Sequence, residues 1–89
     1  MKLKNEIDGA KVIKYTKNKD LGFVEFEDGE TKEINGLAIC NYEQKEEYYL
    51  FACDDQFNVL GDTLHYTIEE AMKFAEEYYE HEKIEWINL

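Results

Sequence analysis

Six consecutive residues, Tyr48-Tyr49-Leu50-Phe51-Ala52-Cys53, carry no charge and no break in apolar character. A strand with one wet face alternates apolar and polar side chains, so an unbroken run implies a strand covered on both faces. The chain offers one helix to do the covering. Ile68, Ala71, Met72, Ala75, Tyr78 and Tyr79 recur at helical spacing with Glu69, Glu70, Lys73, Glu76, Glu77 and Glu80 opposite, which predicts an amphipathic helix over about 67–81. A helix with its side chains is ~10 Å wide, whereas five or six strands at ~4.8 Å spacing make a sheet more than twice that width. One helix cannot shelter both faces. The second face is therefore expected to be covered either by N-terminal strands curling over it or by another copy of the chain.

The remaining elements follow from turn chemistry. Lys11 to Thr16 reads as a strand, and Lys17-Asn18-Lys19-Asp20 as a turn before a second strand at Leu21 to Phe26. Asp28-Gly29 predicts a two-residue turn with positive φ, leading into a third strand from near Thr31. Asn35-Gly36 marks a bulge or a further turn before Leu37-Ala38-Ile39-Cys40. Glu43 to Glu46 forms a polar break ahead of the apolar run. Asp54-Asp55-Gln56 then turns the chain so that Phe57 to Leu60 returns antiparallel, stopping before Gly61-Asp62. At the helix start, Thr67 and Glu70 make a capping box in which each side chain satisfies an orphan backbone N–H. Tyr78 and Tyr79 both fall on the apolar side and are expected in the core, with Phe74 at the border. Lys83 to Asn88 alternates as a closing strand, anchored by Trp86. The whole is an α+β domain: a strongly curved antiparallel sheet of five to six strands, one helix on one face, and a final strand.

Composition limits what such a fold can serve. The 89 residues fit a single domain, residues 1–89, which buries roughly 60–65 % of its unfolded surface. With 44 % hydrophobic and 15 % aromatic residues, it has the material for a core that disordered segments lack. Asp and Glu number 21 against 10 Lys and Arg, a formal net charge of −11 that repels nucleic acid and anionic membrane. The lysines at 11, 14, 17 and 19 are interleaved with Val12, Ile13 and Tyr15 and read as the wet side of a strand. A partner steered by charge is expected to be basic. Met1 to Asp8 has no signal-peptide core, and no apolar run approaches the ~20 residues of a membrane span, so a cytoplasmic protein is expected. The two cysteines fit this: with a turn near Glu43 to Glu46, Cys40 lies opposite Tyr49 or Leu50 rather than Cys53, which predicts two buried free thiols.

Chemical signatures are sparse. Asp54, Asp55, Asp62, His65, Glu69 and Glu70 gather around a turn, a strand end and a helix start, and Asp54, Asp62, His65 and Glu69 are the candidate metal ligands. A calcium loop starting at Asp54 would place Val59 where Gly is required and His65 where the bidentate Glu belongs. His65 and His81 lack the i,i+4 spacing of zinc peptidases. Their ordinary roles are turn formation, backbone capping and charge at the helix start. A Cys53–His65 nucleophile is disfavoured because the hairpin puts Cys53 beside Phe57. The five glycines stand singly and form no phosphate-cradling loop, so no cofactor is expected.

From Tyr49 onward, Leu50-Phe51-Ala52-Cys53-Asp54, Asn58-Val59, Asp62-Thr63, His65, Ile68-Glu69-Glu70-Ala71, Ala75-Glu76 and Trp86 resemble small uncharacterised bacterial proteins, which carry Trp where this chain has Phe57. The resemblance spans about the C-terminal half and brings no functional residues. The expected function is a non-enzymatic, acidic protein-interaction module, immunity-type or regulatory, with a basic protein partner. The alternatives are a metal-binding protein or metal-assisted enzyme using the Asp54, Asp62, His65 and Glu69 set, and a structural homodimer.

Overall fold

The computed structural model describes residues 5–16, 21–42, 45–79 and 84–89. The expected turn at Lys17 to Asp20, the Glu43-Gln44 part of the polar break, and His81 and Lys83 lie outside them. The described residues form β1 (Glu6–Ile7), β2 (Ala10–Tyr15), β3 (Phe23–Glu25), β4 (Thr31–Glu33), β5 (Gly36–Asn41), β6 (Tyr48–Cys53), β7 (Val59–His65), α1 (Ile68–Tyr78) and β8 (Ile87–Asn88). The main sheet is antiparallel with order β1-β2-β5-β6-β7, and β8 also pairs with β2, beyond the stretch occupied by β1. The β3–β4 hairpin is a separate two-stranded sheet rather than part of the main one.

Three hairpins show how local sequence sets this order. Asp8 and Gly9 both have positive φ, 50° and 81°, with Ile7 paired to Ala10 directly across them. That is the two-residue loop whose twist matches paired strands, and it adds β1 ahead of the first strand expected from sequence. Asp28-Gly29 makes a different turn from the expected one. Gly29 N–H donates to Phe26 O at 2.9 Å and Phe26 N–H to Glu30 O at 2.8 Å, leaving a three-residue loop with Gly29 in the left-handed region at φ 86°. The β6–β7 loop has the same build: Phe57 N–H donates to Asp54 O at 3.1 Å, Asp54 N–H to Asn58 O at 3.0 Å, and Phe57 takes the left-handed position at φ 60°. β7 begins at Val59 and runs through Gly61-Asp62 to His65, longer than the expected return strand.

Alternation along β5 and β6 divides the interior in two. Leu37 and Ile39 of β5 and Leu50 and Ala52 of β6 face α1, where they meet Ala71, Ala75 and Tyr79 together with Leu21, Ile34 and Ile84. Ala38, Cys40, Phe51 and Cys53 face the other way, onto Ile7, Ala10 and Val12, bordered by half-buried Tyr15, Tyr42, Tyr49 and Phe57. The central strands are thus covered on both sides. The sheet curls as a half-barrel, so β1, β2 and the ring of aromatics close the second face. Cys40 pairs with Tyr49, as the hairpin geometry implied, and both thiols are free and buried.

The helix runs Ile68–Tyr78 where its periodicity suggested about 67–81, of which residues 80 and 81 lie outside the described ones. Thr67 caps it, with Oγ1 accepting the Glu70 N–H at 3.0 Å, while Glu70 reaches back to the N–H of Tyr66 rather than of Thr67. Tyr79 ends it, donating its N–H to Ala75 O at 2.9 Å. Ala71, Ala75 and Tyr79, spaced by four, form the buried line, and the two alanines let the helix lie close on the sheet. Tyr78 falls to one side of that line and is 68 % exposed, not in the core as expected.

Candidate functional site

The four candidate metal ligands do not gather. Asp54 opens the β6–β7 loop and His65 ends β7, so a strand of seven residues, about 20 Å long, separates them. Among the described residues no three His, Cys, Asp or Glu side chains converge on a metal-sized position. Asp54 and His65 have local partners. Asp54 accepts the N–H of Gln56 and Asn58, both at 2.9 Å, and Asn58 Nδ2–H at 3.0 Å. Partial burial pushes its carboxyl up, but these hydrogen bonds, aided by Lys32, outweigh burial and hold it below the usual range. His65 is buried, with Nε2 2.7 Å from Thr63 Oγ1 and its ring 5.1 Å from that of Phe74. Asp62 stands exposed on β7, and Glu69 exposed in the first helical turn.

The thiols offer no nucleophile. Burial pushes Cys40 up to about 12, with Asp8 adding to it. Cys53 is likewise raised by burial to about 12, with Cys40, Asp54 and Asp8 contributing. A thiol so placed is a small apolar side chain at neutral pH, since the thiolate is the reactive form. Cys53 pairs with Val59 across the hairpin, well removed from His65 at the far end.

What the fold does build is a groove of about 400 Å³ beside the helix. Leu50 and Ala52 of β6 are part of its lining, Phe74, Tyr78 and Tyr79 of α1 form one side, Phe23, Val24 and Glu25 of β3 another, and Leu60 to Thr63 of β7 border it. Two aromatics here remain open to solvent, Phe23 at 66 % and Tyr78 at 68 % exposure. Phe74 fixes Tyr78 in place, their rings stacked at 5.4 Å and 12°, and Tyr79 meets Tyr78 edge-on at 5.0 Å. Burial raises the Tyr79 hydroxyl above its ordinary range, followed by its neighbours Tyr78 and Cys53. Among the described residues none of the lining is basic, while Glu25 and Asp62 are acidic and exposed.

Sequence reasoning placed Tyr78 in the core and gave Phe23 no role, so it missed the groove. One signal was present: Gly61 inside an otherwise strand-like stretch. Its φ is ordinary, and a Cβ built there would meet nothing within 4 Å. A glycine in a strand interior marks a bulge or a place where something approaches closely, and here the register with β6 shifts at Leu60, directly beside Gly61. Gly61 pairs with Ala52, and both border the groove.

Among the described residues no helix is long and apolar enough to cross a membrane. No protein-family model, no curated protein and no solved structure matches the chain, so the groove's own geometry and charge are what bear on function.

Proposed function

We propose that the chain is a non-enzymatic, acidic interaction module, immunity-type or regulatory, that takes an apolar side chain of a basic protein partner into the groove beside α1. One observation carries this reading: Phe23 and Tyr78, both about two-thirds exposed, border the same cleft as Glu25 and Asp62 on a chain of net charge −11. Large rigid aromatics left open around a cleft supply contact area at small entropic cost, the usual material of binding hot spots. The surrounding negative field favours a cationic partner and speeds its approach. Two buried free thiols accord with a reducing, cytoplasmic setting.

The test uses a purified, fluorescently labelled peptide of arginine and leucine, titrated with the protein at salt from about 0.05 M to about 0.5 M. Binding is expected to weaken steadily with salt, and Phe23→Ala and Tyr78→Ala are each expected to weaken it by about tenfold. Binding indifferent to salt and to both substitutions would overturn the reading. Self-association through the same two aromatics, seen by sedimentation, would instead assign the groove to a second copy.

A further inference from the structure

We infer that the partner's segment enters this groove in extended form and adds a strand to the outer edge of β7, with an apolar side chain seated over Gly61. The inference rests on the reading of the groove as an interaction site and specifies how that site is filled.

β7 closes the order β1-β2-β5-β6-β7, so one of its edges is paired to β6 and the other carries a row of main-chain N–H and C=O groups with no strand beside them among the described residues. Side chains along a strand point alternately to opposite faces. A bulge at Leu60, where the register with β6 shifts, turns Leu60 and Gly61 in succession towards the groove with Thr63 beyond them, whereas Asp62, paired with Phe51 of the opposite face, reaches the lining from the strand's edge. Such an edge is a template for a further strand, which natural folds protect unless they use it.

Gly61 explains what would lie there. It is exposed beside the bulge at Leu60, its φ needs no glycine, and open space surrounds the position of a Cβ on the side of Ala52. Any other residue would fill part of that space. Leaving it vacant gives an incoming backbone and one apolar side chain room against the sheet. Asp62, next along the edge, and Glu25 across the groove supply negative charge to residues flanking that side chain. The occupant is therefore an extended segment alternating apolar and cationic residues, borne by a basic protein. The carboxylates that select it also keep two copies of this chain from pairing edge to edge.

The probe is a short peptide alternating arginine and leucine, blocked at both ends, with two further versions N-methylated at every arginine or at every leucine. On saturation, amide exchange at 60–63 is expected to slow by about tenfold or more, because outward N–H groups gain acceptors. One methylated series should bind and the other should fail, since alternate N–H groups face β7. Gly61→Leu should weaken binding by about tenfold while leaving the melting temperature unlowered, as leucine suits a strand and has space to fill. No binding at low salt would remove both this inference and the groove reading. Binding that depends on Phe23 and Tyr78 but leaves 60–63 unprotected, treats both methylated series alike, or survives Gly61→Leu would overturn strand addition and leave the groove reading standing. The exchange measurement uses the native protein, so the outcome does not hang on how the variant folds.

Discussion

Gly29 and Phe57 hold the same position in two hairpin loops of the same build, each in the left-handed region, at φ 86° and 60°. Glycine adopts that conformation freely, whereas a residue with a Cβ is strained by roughly 1 kcal/mol or more. Phe57 tolerates it because its ring meets Tyr15 edge-on at 6.4 Å and helps close the second face of the sheet. Phe57→Ala loses the ring and keeps the strain, for an expected loss of about 2 kcal/mol in urea unfolding. Phe57→Gly loses the ring and the strain together, and should be the more stable of the two by about 1 kcal/mol. An alanine variant as stable as the glycine variant would contradict this account.

Thr16 extends the pairing of β2 with β5 beyond its last strand residue. It is 1 % exposed, donates its N–H to Leu37 O at 3.0 Å, and accepts the Leu37 N–H on Oγ1 at 2.9 Å. Thr16→Val keeps the shape and removes the acceptor, so the cost is expected at about 1–3 kcal/mol. Thr16→Ser keeps the acceptor and should recover most of the loss. Equal stabilities for the two variants would show that the hydroxyl contributes nothing.

The thiols predict both reactivity and alkaline stability. In the native protein near pH 8, Cys40 and Cys53 should react with a thiol reagent only as fast as the chain opens, and urea should release both at once. Their folded values of about 12 lie above the ordinary thiol value of 9.0, so the fold favours the neutral form. That contribution is complete below pH 9.0 and is lost as pH rises towards 12. Urea midpoints should fall over this window, and less steeply in the Cys40→Ala, Cys53→Ala double variant.

Asp54 gives the opposite sign. Its carboxyl is held below the ordinary 3.8, chiefly by hydrogen bonds from Asn58 and Gln56 that prevail over burial, so its contribution is present above pH 3.8 and disappears as pH falls through the lower folded value. Asp54→Ala should destabilise the hairpin at neutral pH and flatten the acid limb of the stability profile. An unchanged acid limb would show that this carboxylate is not the group responsible.

The sequence made the architecture legible wherever a pattern was long. The run from Tyr48 to Cys53 implied burial on both faces, and the spacing from Ile68 to Tyr79 implied the helix, because each is set by many side chains at once. Short features were harder to read. Asp8-Gly9 carried a clear two-residue turn signal, but β1 is only two residues long and offers no periodicity. Asp28-Gly29 has the same composition and a longer loop, because Phe26 and Glu30, not the flanking strand ends alone, close it. The groove stayed hidden because it depends on where the β3–β4 hairpin lies relative to α1 and β7, which no local pattern states. Tyr78 was misplaced for a related reason: Ala75 and Tyr79 fill the closest approach to the sheet, leaving the residue between their turns at the flank.

Burial of β5 and β6 on both faces has a consequence for how their alignment is chosen. In most sheets a slip by one position is rejected because it drives polar groups inward and greasy ones into water. Here neither side is water: Leu37 and Ile39 serve one compartment, Ala38 and Cys40 the other. A slip would exchange bulky side chains for small ones, emptying the first space and crowding the second. Volume, rather than polarity, is what holds these two strands in step.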